Sequence, residues 1–166
     1  MRVLRLLIGM WVLLTSSSGS ATEVDSLFAA SFIDPSGKSV ELSSYRGKSL
    51  IVNFWARWCG PCRKEIPQLT KIQDSFREKG IVVLGIALEE ADAREAVADF
   101  AKAYDVNYPI VLGDNRKTLW LMQILGNSRG GLPFTVVIDA KGKLLSRKLG
   151  EITASELTEA AKSLLR

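Results

Sequence analysis

Residues 81–88 read Ile-Val-Val-Leu-Gly-Ile-Ala-Leu, with no polar side chain among them. A strand with one face in water alternates polar and apolar residues. An unbroken run has no wet face and fits a parallel strand covered on both sides. A second run, Leu50-Ile51-Val52-Asn53-Phe54-Trp55, suits a central buried strand at Ser49–Trp55. Between the two, residues 63–79 read as a helix that Gly80 ends. Upstream, Phe32-Ile33 and residues 39–42 flank the turn Asp34-Pro35-Ser36-Gly37 and read as a hairpin. Downstream, Asp92 with Glu95 resembles a capping box opening a helix to about residue 104. A short strand at 110–112 and a helix at 117–125 follow. Phe134–Ile138 and Leu144–Leu149 form a second hairpin, and Thr153 with Glu156 caps a last helix reaching about residue 165. The alternation predicts an α/β fold, a mixed sheet with helices on both faces.

The first 21 residues stand apart from this pattern. Met1-Arg2-Val3-Leu4-Arg5 is a basic start, residues 6–14 are apolar, and residues 15–21 are small and polar. That is the layout of a secretory signal peptide, with Gly19 and Ala21 placed for cleavage after Ala21 and cleavage after Ser20 as the alternative. The apolar run is short of the ~20 residues that a spanning helix needs. The expected organisation is a leader at 1–21, a polar lead at 22–30 and one domain at 31–166. Export implies a periplasmic or other extracytoplasmic location, membrane-tethered if the leader stays attached. Without the leader the chain carries 20 basic and 18 acidic residues. So small a surplus gives no argument for nucleic acid.

Cys59 and Cys62 are the only cysteines, and the chain has no histidine. They lie in Trp58-Cys59-Gly60-Pro61-Cys62, where the central strand ends and a helix begins. In a first helical turn, positions i and i+3 face the same way, close enough for a disulfide after small adjustment. Cys59 has its sulfur near unpaired N–H groups and the positive end of the helix dipole, which lowers its pKa below the free value of about 8.5. Cys62, one turn in, is more buried and less ionised. Cys59 is therefore expected to be the exposed nucleophile that attacks a substrate disulfide, and Cys62 to displace the substrate from the mixed disulfide. Pro61 suits a first turn, which can spare its N–H, and Gly60 leaves room for a partner's backbone. Trp58 shields the sulfur and contacts partners, while Trp55 belongs to the core. An inert crosslink is the poorer reading, because a loop over so few residues hardly restricts the unfolded chain. A zinc site wants about four Cys or His ligands and finds two. Neither a metal nor another cofactor is expected.

Leu132-Pro133 opens the strand at Phe134–Ile138 after the flexible Gly126-Asn127-Ser128-Arg129-Gly130-Gly131. Pro133 either closes a loop or, as a cis proline, offers the Leu132 backbone to an extended peptide.

Residues 54–67, Phe-Trp-Ala-Arg-Trp-Cys-Gly-Pro-Cys-Arg-Lys-Glu-Ile-Pro, together with Leu132-Pro133-Phe134-Thr135-Val136-Val137-Ile138-Asp139, resemble the thioredoxin superfamily. More narrowly they resemble its exported TlpA/ResA branch, which serves thiol reduction outside the cytoplasm and, in several members, cytochrome c maturation. The resemblance implies a thioredoxin fold with an N-terminal hairpin, and it runs from Ser31 to the C-terminus. The 52 positions separating Ile81 from Pro133 fit the branch's inserted helix and strand. Pro67 matches the proline that kinks the active-site helix, Pro133 the cis proline, and Gly150 the glycine beside the peptide groove. Asn53 stands where cytoplasmic thioredoxins carry a buried Asp, and it cannot titrate. Glu65 matches an acidic residue of the branch. It is the group available to take the proton from Cys62, its pKa raised by screening from water. The other reading of Glu65 is an exposed first-turn acid held by the helix dipole.

The resemblance implies a thiol:disulfide oxidoreductase, most simply a monomeric reductant of protein disulfides resupplied by a membrane electron donor. A disulfide-forming oxidant is the alternative, since potentials in the superfamily span about 150 mV. A thiol peroxidase of the peroxiredoxin type is weaker, because Ala56 occupies the Thr of its Thr-x-x-Cys pattern. A redox-labile binding module without turnover would fail to reduce disulfides on its own.

Overall fold

The computed structural model describes residues 22–166; the expected leader lies outside the described residues. Residues 22–30, expected to be a polar lead, instead carry a helix, α1 (Glu23–Phe28). Thr22 Oγ1 accepts from the Asp25 N–H, and the Asp25 carboxylate accepts from the Thr22 N–H, both at 3.1 Å. The segment looks polar on a count of residues. At helical spacing, however, Val24, Leu27 and Phe28 share one face and are all buried. Among the described residues the packed structure therefore includes Thr22 to Ala30, nine residues ahead of the expected Ser31.

Seven strands form one sheet: β1 (Ser31–Ile33), β2 (Ser39–Glu41), β3 (Ser49–Trp55), β4 (Ile81–Glu90), β5 (Ile110–Gly113), β6 (Phe134–Ile138) and β7 (Leu144–Leu149). Their order is β2-β1-β5-β4-β3-β6-β7. The central β3, β4 and β5 run parallel, with an antiparallel hairpin added at each edge. Four more helices complete the fold: α2 (Gly60–Phe76), α3 (Arg94–Ala103), α4 (Asn115–Ile124) and α5 (Ala154–Ser163). On one face Ile66 and Leu69 of α2, Val97 of α3 and Leu157 of α5 pack against Ile51, Trp55 and Val83. On the other, Leu27 of α1 and Leu121 and Met122 of α4 pack against Leu50, Val52 and Phe54. This is the expected mixed sheet between two helical layers, with α3, β5 and α4 filling the interval between β4 and Pro133. Among the described residues no helix is long and apolar enough to cross a membrane.

Helix boundaries move where a side chain captures a cap. α2 begins at Gly60, not at 63, because Cys59 itself takes the N-cap position. α4 begins at Asn115 because the Asp114 carboxylate accepts from the Lys117 N–H at 2.9 Å. The capping box expected from Asp92 and Glu95 does not form. Asp92 lies inside a 3-10 turn (Ala91–Ala93), Ala93 occupies the cap position, and Glu95 pairs with Arg94. The reciprocal box of Thr153 and Glu156 is present at α5.

Leu27 is fully buried between α1 and the sheet. Leu27→Ala is expected to lower the unfolding free energy by about 2–5 kcal/mol. The shift would be read as a lower urea midpoint at unchanged slope. A residue in a polar lead would tolerate the change within about 0.5 kcal/mol.

Candidate active site

β3 delivers the chain to the redox site. Trp55, its last residue, is buried, and Gly85 on β4 makes room for it: a Cβ there would stand 3.1 Å from Trp55 Nε1 and 3.2 Å from the Tyr108 ring. Beyond Ala56 the chain turns, the Cys59 N–H donating to the Ala56 carbonyl at 3.1 Å. Cys59 then caps α2 and is joined to Cys62 in a disulfide with the Cα atoms 5.3 Å apart. The Cys59 sulfur accepts from the Cys62 N–H at 3.2 Å, one of the orphan donors of the first turn. Cys59 is 5 % exposed and Cys62 0 %. The expected order of accessibility holds, but Cys59 is not the exposed residue foreseen. Its side chain belongs to the apolar cluster of Trp55, Ala56 and Ile66, which closes around the disulfide. Trp58 is 67 % exposed, free to meet a partner.

The register gathers the remaining expected groups at the same end of the sheet. Phe54 pairs with Phe134 and Phe134 with Leu149. Pro133 and Gly150 lie one residue beyond the last pair of the second ladder. The Gly150 N–H donates to the Pro133 carbonyl at 2.8 Å. The Leu132–Pro133 peptide is cis. Leu132, half-buried, packs against the cluster that holds both cysteines. Pro61 is exposed, and a Cβ at Gly60 or Gly150 would meet nothing within 4 Å. The space that a side chain would occupy at these two glycines is open.

Glu65 is 1 % exposed, so the reading as a surface first-turn acid fails. One turn of α2 beyond Cys62, its carboxylate points toward the sheet. Oε1 accepts from Asn53 Nδ2 at 2.6 Å, and Oε2 accepts from the Ile152 N–H at 2.9 Å. Asn53 Nδ2 also donates to Thr135 Oγ1 at 3.0 Å. Burial pushes the Glu65 carboxyl up to about 7; its two hydrogen bonds pull the other way and the charge of Glu151 adds to the rise. Such a group exchanges a proton near neutral pH. Among the described residues, no three His, Cys, Asp or Glu side chains converge as a metal site would require.

Three partners in this region escaped the sequence reading. Thr135 could have been found, since it and Asn53 are polar residues inside two apolar strands and occupy paired positions. The Ile152 N–H carried no signal, because a backbone donor has no residue type. Glu89 carried none either. It is the second-last residue of β4, is 7 % exposed, and accepts from Arg57 three times: from the backbone N–H at 3.1 Å and from Nε and Nη2 at 3.2 Å each.

Known proteins resemble this chain in sequence and fold. The AhpC/TSA family matches residues 25–147. The chain is 34 % identical to the thiol-disulfide oxidoreductase ResA of Bacillus cereus over 124 residues, covering 75 % of this chain and 68 % of the relative. It is 31 % identical to ResA of Bacillus thuringiensis over 131 residues, 79 % of this chain and 72 % of the relative. A thiol:disulfide interchange protein of the thioredoxin family from Chlorobium tepidum superposes with a TM-score of 0.72 at 28 % identity, covering 82 % of this chain and 93 % of that one.

An unfolded glutamate titrates near 4.5, well below the folded value for Glu65. The folded state holds that proton more tightly. Its contribution to stability is fully present below pH 4.5 and is lost as the pH rises through 7. The oxidised protein is expected to lose roughly 2–4 kcal/mol over this window in urea titrations. Glu65→Gln should abolish that slope. Glu156, held down at about 2 by Lys148 and Thr153, acts only in more acid solution.

Proposed function

We propose, for a chain that belongs to the AhpC/TSA family and is a ResA-like thiol-disulfide oxidoreductase, that it works as a reductant outside the cytoplasm, with Cys59 attacking and Cys62 resolving. The observation that carries this reading is the disulfide at the N-terminus of α2, where Cys59 caps the helix and accepts from the Cys62 N–H. In the dithiol form the Cys59 thiolate attacks one sulfur of a substrate protein's disulfide, and the other substrate sulfur leaves as a thiolate. Cys62 gives its proton to the Glu65 carboxylate and displaces the substrate from Cys59. The substrate's second sulfur departs and is protonated. Two electrons pass to the substrate, and the disulfide between Cys59 and Cys62 remains.

Substrate peptide docks as an extended segment along Leu132 and Pro133, with Trp58, Gly60, Pro61 and Gly150 around it. The open space at both glycines and the exposure of Trp58 support that placement. One chain holds both sulfurs and Glu65, consistent with action as a monomer. The basic start and apolar run of residues 1–21 support export with cleavage after Ala21, leaving a mature chain that begins at the cap of α1. A membrane dithiol donor restores the reduced form, and cytochrome c maturation is the process that the resemblance to ResA favours.

The test combines potential and trapping. Equilibrated with glutathione, the protein should have a potential nearer the thioredoxin value of about −270 mV than the oxidant value of about −120 mV. Cys62→Ala should accumulate mixed disulfides through Cys59, and Cys59→Ser should abolish disulfide reduction. A potential near the oxidant end, or faster alkylation of Cys62 than Cys59, overturns the assignment.

Glu65→Gln keeps size and polarity but accepts no proton. It should slow the resolving step by about 10²-fold or more, flatten the pH profile between 6 and 8, and leave first attack by Cys59 near normal. Unchanged turnover across that range would leave water as the acceptor.

A further inference from the structure

The loop that carries Cys59 is tied down at a point the redox chemistry above does not use. β3 and β4 run in register up to Trp55 and Ala87, where the ladder stops. Two residues further, Arg57 stands opposite Glu89. The Glu89 carboxylate takes over the backbone N–H that a longer ladder would have paired, and the same carboxylate grips the guanidinium in a fork. Glu89 is nearly fully buried and Arg57 about one-third exposed, so the two charges meet where water screens them weakly. Arg57 precedes Cys59 by two residues, so their Cα atoms are at most about 7 Å apart.

We propose that Glu89 is a positioning residue of the redox site: through Arg57 it anchors the loop presenting Cys59, and the paired charges cancel at the sulfur. This rests on Cys59 as the attacking thiol. Removing Arg57 leaves a bare buried carboxylate that disfavours the Cys59 thiolate; removing the Glu89 charge leaves a bare guanidinium that favours it. The other ionisable groups around the disulfide are Glu65 on α2, Tyr108 before β5 and Glu151 beyond β7. Arg63 and Lys64 are exposed on α2, and Glu90 of β4 accepts from the Asn115 N–H. All of these are common to every protein compared.

The experiment measures the pH dependence of Cys59 alkylation in the fully reduced protein, with the modified cysteine identified by mass, alongside the glutathione equilibrium. Arg57→Met should raise the Cys59 midpoint by about 0.5–1, and Glu89→Gln should lower it by a similar amount. The double substitution should return within about 0.3 of the parent. The disulfide should become harder to reduce in Arg57→Met and easier in Glu89→Gln. Glu89→Asp, which keeps the charge on a shorter stem, should follow the parent and not Glu89→Gln, so the comparison survives if Arg57→Met does not fold. Shifts of the same sign, no shift, or Glu89→Asp behaving as Glu89→Gln overturns the proposal. Alkylation falling first on Cys62 instead overturns the assignment of the nucleophile.

Discussion

β3 is hydrogen-bonded along both edges, in parallel to β4 and antiparallel to β6, and apolar side chains cover both its faces. A strand held in this way cannot slip by one residue without carrying Asn53 and Trp55 to the opposite face and Phe54 into the place of either. Its end is therefore a fixed point. The reactive loop and α2 are continuous with that end. The cis peptide and Gly150 arrive beside it because the β6 and β7 ladders are registered on β3. The position of the cis peptide and that of the disulfide are two consequences of one strand's position.

The same strand gives the site its acid–base character. From Ile51 to Trp55 its face toward α2 is apolar except at Asn53, and that amide meets the Glu65 carboxylate of the helix bearing Cys62. A carboxylate in such a place must be hydrogen-bonded or neutral. Here it has two donors and is also pushed up to about 7, so both protonation states lie within reach near neutral pH. Position 53 is an amide, so the titratable carboxylate here stands on the helix, and the strand supplies the donor that orients it.

Charges are sorted differently on the loop itself. Arg57 and Glu89 neutralise each other at the sheet edge of the loop, while the two sulfurs lie in an apolar cluster with Trp55 and Ile66. Trp58, between Arg57 and Cys59, is the residue left to solvent. The loop is thus anchored by one ion pair and presents one exposed aromatic.

Much of this was legible in the chain alone. Runs of apolar residues gave both central strands, since a strand covered on two faces has no alternative pattern. Cys59 and Cys62 declared their chemistry through a spacing that only a first helical turn makes useful. The short α1 was hidden because a count of residue types registers Thr22, Glu23, Asp25 and Ser26 as polar, whereas burial depends on which of their neighbours share a face. The cap of α3 was misread because Asp92 and Glu95 have the right spacing, but the chain enters that helix through a 3-10 turn. Only the tertiary structure brought Glu65 under the disulfide against Asn53, Thr135 and the Ile152 N–H, and Glu89 against Arg57. Those contacts join residues up to 87 positions apart. Local sequence sets the helix, strand and thiol; the environment that tunes them comes from strand order and register, which no local pattern encodes.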